Sequence, residues 1–324
     1  MQQNVIGIDI GGTKCAVTYG VNDGENIAIV DKLKFDTSHV DDTVANLLET
    51  TSAIMQKYGL NSGNTAAIGI SCGGPLDSKK GVIMSPPNLP GWDHIPIVEY
   101  FEKRFGVTTA VQNDANACAL AEWKFGAARG YSNAIFLTFG TGMGAGLILD
   151  GKLYAGTNDN AGEVGHMRLE KTGPVGYGKA GSFEGFCSGG GIAQLARVRV
   201  MEKLQMGEAV SFCNNMDAIN HLTAKTVAEA AETGDLLARE IYGECAQYLG
   251  KALSILIDVL NPEVIVLGSI YCRAQSLIET AMQEVIDAET IIHARRVCKI
   301  VPAGLGESIG DYAALSVAVN VLNL

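Results

Sequence analysis

At 324 residues the chain is long for one hydrophobic core, which favours two domains. Its net charge of −11 argues against tight binding to nucleic acid or an anionic membrane, both of which want clustered lysine and arginine. The 8 cysteines are scattered without a C-x-x-C pair, a pattern that excludes a zinc ribbon or a disulfide frame and suits reduced thiols.

The first residues, MQQNVIGIDI, lack a basic stretch followed by a long apolar run, so no signal peptide is expected. No apolar stretch reaches the roughly 18 residues of a membrane helix, and a cytoplasmic protein is the expectation. Strands are predicted at NVIGIDI, CAVTYGV and NIAIVDKLKF. Helical spacing follows from Val44 to Tyr58, opened by Asp41-Asp42. AAIGISCGG reads as a strand ending in glycines, and VTTAVQNDA as a strand running into the helix ANACALAEWKFG. The order β-β-β-α-β-α suits an α/β layer domain.

A second round begins with NAIFLTFGTGMGAGLILDGKLY: strand, glycine turn, strand, then Asp150-Gly151 as a hairpin signal. The same grammar occurs in VIGIDIGGTKCAVTYGVNDGENI. An internal duplication would place two related domains across a cleft, whereas common glycine hairpins would explain the likeness without one. Lys225 to Leu260 reads as helix, stopped at Asn261-Pro262, and NPEVIVLGSI as a buried strand. Glu307 to Leu322 reads as a small-residue helix. No low-complexity linker separates the halves, so a hinge is expected and not a flexible tether.

Two glycine turns suit phosphate. In DIGGTK, the amides of Gly11 and Gly12 and the Thr13 hydroxyl can meet phosphate oxygens, Lys14 offers a point charge, and Asp9 could hold Mg²⁺ through water. A plain hairpin is the competing reading. TFGTGMGAG (Thr138 to Gly146) superficially matches a dinucleotide fingerprint, but a hairpin arm follows it where that motif needs a helix. There is also no G-x-x-x-x-G-K-[ST] loop. Two such hairpins, one per half, suit a nucleotide spanning an interdomain cleft.

These motifs, in order, resemble those of the ROK sugar kinases, within the actin-like ATPase superfamily. DIGGTK looks like the first phosphate motif, GISCGGPLD like a sugar-touching turn and SPPNLPGW like the sugar-site loop. NDANACALAEW looks like the catalytic-base motif, TFGTGMGAG like the second phosphate motif and AGEVGH like the sugar-binding EVGH. The resemblance covers nearly the whole chain. It implies an α/β protein of two actin-like (ribonuclease H-like) domains facing each other across a cleft. Residues 1–115 with 307–324 would form the N-terminal domain, and residues 116–306 the C-terminal domain with a sugar-site insertion. It also implies ATP-dependent phosphorylation of a hexose, most readily at O6, with hexose, ATP and Mg²⁺ as small-molecule partners and a homodimer as the usual assembly.

Residue by residue, Asp114 would be the general base; helix capping is its alternative role. Its place at a helix N-terminus predicts a carboxylate kept ionised by the helix dipole. Gly74, Asn88, Asn113, Glu163, His166 and Glu184 would bind sugar hydroxyls, though glutamates are more often simply exposed. Thr138, Gly140, Thr141 and Gly142 would join the Asp9–Lys14 turn at the nucleotide, with Gly268 at the adenine. Trp92 could flank the sugar, although packing beneath it is the preferred reading.

The chain departs from the family twice. The family's loop after EVGH usually carries three cysteines that bind structural zinc with the histidine. Here Val175, Tyr177 and Ser182 stand at those positions, and none can replace a thiolate. No structural zinc is therefore expected; packing of Val175, Tyr177 and Phe183 should hold the loop, and His166 should keep its sugar role and orient Glu163. The second departure is VLGSIY (Val266 to Tyr271), where Ser269 and Ile270 replace the usual small flexible residues. The alternative to a kinase is a sugar-sensing ROK protein that lost catalysis. The family's repressors carry an N-terminal DNA-binding domain, for which the stretch before the first strand leaves no room.

Overall fold

The computed structural model describes residues 2–322. From the N-terminus the elements are β1 (Gln3–Ile10), β2 (Lys14–Asn22), β3 (Ile27–Asp36), α1 (Val40–Lys57), β4 (Thr65–Cys72), β5 (Leu76–Asp77), β6 (Val82–Ile83), α2 (Ile97–Phe105), β7 (Thr109–Asn113) and α3 (Asp114–Phe125). They continue with β8 (Ala134–Leu137), β9 (Ala145–Leu149), β10 (Lys152–Leu153), β11 (Val175–Gly176), β12 (Lys179–Ala180), α4 (Phe183–Phe186), α5 (Gly189–Gln205), α6 (Ala224–Glu232) and α7 (Leu236–Leu260). The last are β13 (Val264–Leu267), α8 (Ile270–Glu289), α9 (Ile292–Val297), β14 (Lys299–Pro302) and α10 (Ile309–Val321).

The strands form two mixed five-stranded sheets, β3-β2-β1-β4-β7 and β10-β9-β8-β13-β14. Each has the order third, second, first, fourth, fifth among its own strands, as a duplicated unit would. By contacts the chain divides into two compact units. Unit 1 runs to Phe136 and adds Gly146–Gly162 and the chain from Gly304; unit 2 comprises Leu137–Ala145 and Glu163–Ala303.

In unit 1, β1 pairs antiparallel with β2 and parallel with β4, and β4 pairs parallel with β7. Strands buried on both faces need unbroken apolar runs, which VIGIDI and AAIGISC supply. The register sets Asp9 beside Ser71 and Cys72 beside Asn113, so the carboxyl ends of three parallel strands finish at one edge. Ligands of open α/β sheets bind at such edges. One face of the sheet carries a core of Ile6, Ile8, Leu47, Ile68, Trp92 and Phe101. Trp92 is 1% exposed, as its packing role requires. The other face takes α10 at very short range. A β-carbon on Gly69 would lie 2.2 Å from the Ala314 carbonyl oxygen, so only glycine allows that approach.

Asp150 and Gly151 both have positive φ and turn β9 back into β10, as Asp-Gly predicts. In unit 2, β13 and β14 run parallel. The helix expected from Lys225 to Leu260 is two. Gly234, at φ 101°, breaks it, Thr223 caps α6 with a capping box, and the Asp235 carboxylate caps α7 on the Ala238 amide at 2.9 Å. A helix-wide apolar stripe conceals such a break because both pieces bury the same kind of face. Asn261 ends α7 in the left-handed conformation, just before Pro262.

Candidate active site

In unit 1 the strand edge collects the acids. Asp9 is the penultimate residue of β1, and Asp114 opens α3 after β7. Asn113, not Asp114, is the N-cap: its Oδ1 accepts from the Ala115 amide at 2.9 Å. Asp114 Oδ1 accepts from the same amide at 2.8 Å, and its other oxygen takes no further protein bond among the described residues. Asn113 Nδ2 lies where a β-carbon on Gly74 would be only 3.0 Å away, so the GISCGG turn and the NDAN corner are in contact. Asn88, itself exposed, packs over the first glycine turn. Its carbonyl oxygen would sit 2.6 Å from a β-carbon at Gly12, and its amide faces Gly73. Thr37 Oγ1 donates to the Gly11 carbonyl at 2.6 Å and helps fix that turn.

The electrostatics differ from the sequence expectation. Burial is the main influence on Asp9, the negative charge of Asp114 adds to it, and together they push its pKa up to about 6 against the pull of Lys32 and Lys34. Solvent reaches the Asp114 side chain, yet protein crowds it enough that burial raises its pKa and outweighs the opposing backbone N–H bonds. A helix N-terminus alone does not keep this carboxylate fully acidic. Two carboxylates held as neighbours with raised pKa values are a mark of functional sites.

Lys14 is exposed, and Gly11 donates to its backbone carbonyl. The cations that act on Asp9 are Lys32 and Lys34, on the edge strand β3. Burial pulls Lys32 down to about 8, and its ammonium pairs with Asp311 in the first turn of α10. No motif marks the two lysines; Asp311 lies in the closing helix expected from Glu307 to Leu322.

Unit 2 gathers the other predicted residues. The turn after β8 closes on itself: Gly144 donates to Thr138 Oγ1 at 3.0 Å, and Gly140 donates to the Gly142 carbonyl at 3.0 Å. Met143 donates to Glu184 Oε2 at 3.0 Å, which ties that turn to α4 and leaves the other carboxylate oxygen available. Gly165 of EVGH packs against the Met143 carbonyl, where a β-carbon would approach to 2.3 Å. Glu163 is exposed beside this junction. His166 donates its backbone N–H to the Glu163 carbonyl at 3.2 Å, and its ring stands edge-on to Tyr177 with centroids 5.0 Å apart. The side-chain link from His166 to Glu163 is not formed among the described residues.

The loop at residues 167–187 is not held by Val175 and Tyr177, which are 46% and 69% exposed; of the three expected packing residues only Phe183 is buried. Hydrogen bonds do the holding. Gln194 bonds the Val175 backbone in both directions, Arg168 donates to the Ala180 carbonyl at 2.7 Å and Lys179 to the His166 carbonyl at 2.8 Å. Ser182, at one of the family's cysteine positions, caps α4 on the Gly185 amide at 3.1 Å. Among the described residues no three His, Cys, Asp or Glu side chains are gathered as a metal site.

Beside the turn after β8, unit 2 has a cavity of about 690 Å³ lined by Gly140, Thr141, Arg197, Lys225, Ser269 and Arg273, with Glu229, Glu232 and mostly apolar residues between them. Gly268 does not line it. That residue is buried and spends its N–H on the Leu137 carbonyl. Ser269 lines the cavity instead, at φ 45°, and its Oγ accepts from Arg273 at 2.7 Å. Sequence reasoning missed Arg197, Lys225 and Arg273 because helices far apart in the chain bring them together.

The ROK family model matches residues 5–320. A glucokinase from Halalkalibacterium halodurans is 34% identical over 268 residues, covering 81% of this chain and 79% of the relative. The regulator NagC of Escherichia coli is 29% identical over 84% of this chain but only 66% of its own length. Among solved structures, a ROK glucokinase from Streptomyces griseus in complex with glucose and AMPPNP superposes with a TM-score of 0.75 at 28% identity, covering 98% of this chain and 99% of that one. The chain therefore belongs to the ROK family and is a glucokinase-like sugar kinase with the actin-like fold.

Proposed function

We propose that the protein transfers the γ-phosphoryl group of ATP to a hexose hydroxyl, most readily O6, with Asp114 as general base. The observation that carries this reading is the pair of neighbouring carboxylates, Asp9 and Asp114, at the common edge of β1, β4 and β7. Transfer to an alcohol needs a group to take the hydroxyl proton and a site to neutralise the nucleotide. Asp114 has a carboxylate oxygen unused by the protein and a raised affinity for a proton, as the first role asks. Asn113 and Gly74 beside it offer an amide and a backbone for the neighbouring sugar hydroxyls; the family resemblance adds Asn88 in unit 1 and Glu163, His166 and Glu184 in unit 2.

The residues present fit a magnesium nucleotide. Gly11 and Gly12 sit where any β-carbon would strike Lys14 or Asn88, so bare backbone is presented there. No protein donor reaches the Asp9 carboxylate among the described residues, which leaves it able to hold Mg²⁺ through water; that ion would neutralise phosphate charge. In unit 2 Gly140 and Thr141, from the turn of Thr138, Gly140, Thr141 and Gly142, line the cavity, whose volume suits a nucleoside.

A ROK protein that only senses sugar is the second reading, since NagC is 29% identical over 84% of this chain. Sensing needs the hydroxyl-binding residues but not the acid at Asp9. A coupled ADP-release assay with glucose, mannose, fructose, allose and N-acetylated amino sugars decides between them. ATP-dependent turnover with product phosphorylated at O6 is expected; sugar binding without ADP release would establish the sensor.

A further inference from the structure

One charged side chain of unit 1 lies away from the reacting groups and is fully buried. Glu122, in the last turn of α3, is 0% exposed. Its Oε2 accepts from the Ala127 amide at 2.7 Å and the Gly304 amide at 3.0 Å, and its Oε1 accepts from Leu305 at 2.9 Å. Burying a carboxylate is costly unless donors replace its water, and here three backbone amides do so. The packing leaves no slack: a β-carbon at Gly126 would lie 2.1 Å from Glu122 Oε2, and one at Gly304 would lie 2.9 Å from the Ala127 nitrogen.

The bonded amides have a particular place in the chain. Gly304 is the first residue of unit 1 after the chain leaves unit 2 at Ala303. A single turn later begins α10, whose first residues meet Asp9 and Lys32: a β-carbon on Gly310 would be 4.0 Å from Asp9 Oδ2, and Asp311 pairs with Lys32. At the other end of α3 stands Asp114. One carboxylate thus joins the helix that carries the proposed base to the segment that sets α10 against Asp9.

Resting on the kinase reading above, we infer that Glu122 is a positioning residue for phosphoryl transfer: it fixes the N-terminus of α10, and with it the Asp9–Lys32–Asp311 group, in register with Asp114. It touches no substrate. Its loss should therefore lower the rate of the chemical step and leave both substrates bound. A displacement of about 1 Å at a reacting group costs on the order of a hundredfold in rate.

The test compares wild type, Glu122→Gln, Glu122→Asp and Gly304→Ala in steady-state turnover of the hexose accepted in the panel, with amide exchange measured at residues 303–311. Glu122→Gln keeps the volume and replaces one accepting oxygen with a donor. Gly304→Ala pushes the same segment away without changing charge. The expected result is a kcat lowered about tenfold to a hundredfold in both, KM for sugar and ATP nearly unchanged, faster exchange at Gly304 and Leu305, and partial recovery in Glu122→Asp. If Glu122→Gln does not fold, Gly304→Ala decides alone. Wild-type kcat in a folded variant that has lost only thermal stability overturns the inference. A wild type that turns over no hexose overturns the kinase reading instead, a distinct outcome.

Discussion

Asp114 combines two opposing influences, and its chemistry depends on their balance. Backbone N–H bonds at the start of α3 favour the carboxylate, while crowding by protein favours the acid and prevails. Asp114→Asn keeps the Oδ1 acceptor for Ala115 and removes the proton acceptor. It is expected to lower kcat by about 10²–10⁴-fold with KM for sugar changed little, measured by ADP release. Because the folded-state pKa is raised, kcat/KM should fall on the acid side at a pH above the ordinary aspartate range. Stability has the matching sign. The native state holds this proton more tightly than the unfolded chain, so the Asp114 contribution is present at low pH and is lost as pH rises from the unfolded pKa through the folded one. A pH series of kcat/KM and of thermal midpoint checks both. Asp9 and Asp114 were legible because residue type and a strand end coincide in DIGGTK and NDAN. Lys32 and Asp311 were not: they are 279 positions apart, and only the fold makes them partners.

Among the elements, the loop from Met167 to Cys187 is bound into unit 2 by polar contacts. With Val175, Tyr177 and Ser182 at the family's thiolate positions, the loop is stitched by Gln194, Arg168, Lys179 and the Ser182 cap. Purified protein is expected to carry only substoichiometric zinc by elemental analysis and to keep its thermal midpoint in a chelator, whereas a loop that needed metal would melt early. The Gln194 bonds are exposed, so Gln194→Ala should cost no more than about 1 kcal/mol while loosening the hairpin in amide exchange. The substitution pattern could be read from the sequence. The replacement could not, because exposed Tyr177 looks like a core residue when only its type is known.

For the molecule as a whole, the likeness of two glycine hairpins left an internal duplication open in the sequence, and the two sheets share one strand order, as a duplication would give. Periodicity did not reveal α5, which opens on three glycines and carries a weak stripe, nor the nine-residue α2 and the longer α8, nor the cavity in unit 2 that three helices line with charged side chains of both signs. Pattern reports what an element buries against its own sheet, and pockets arise where several elements stop.

The chain contains 2 tryptophans, and their placement has an optical consequence. Trp92 is sealed in the core four residues beyond Asn88, and Trp123 lies in α3 with its indole N–H on the Tyr131 carbonyl at 2.8 Å. Ultraviolet emission of the unlabelled protein thus originates from two points of unit 1, one at the end of the SPPNLPGW turn. Titration with the accepted sugar should change the intensity of that light, and Trp92→Phe should abolish most of the change while Trp123→Phe spares it. An unaltered spectrum at saturating sugar would mean that the turn stays still on binding.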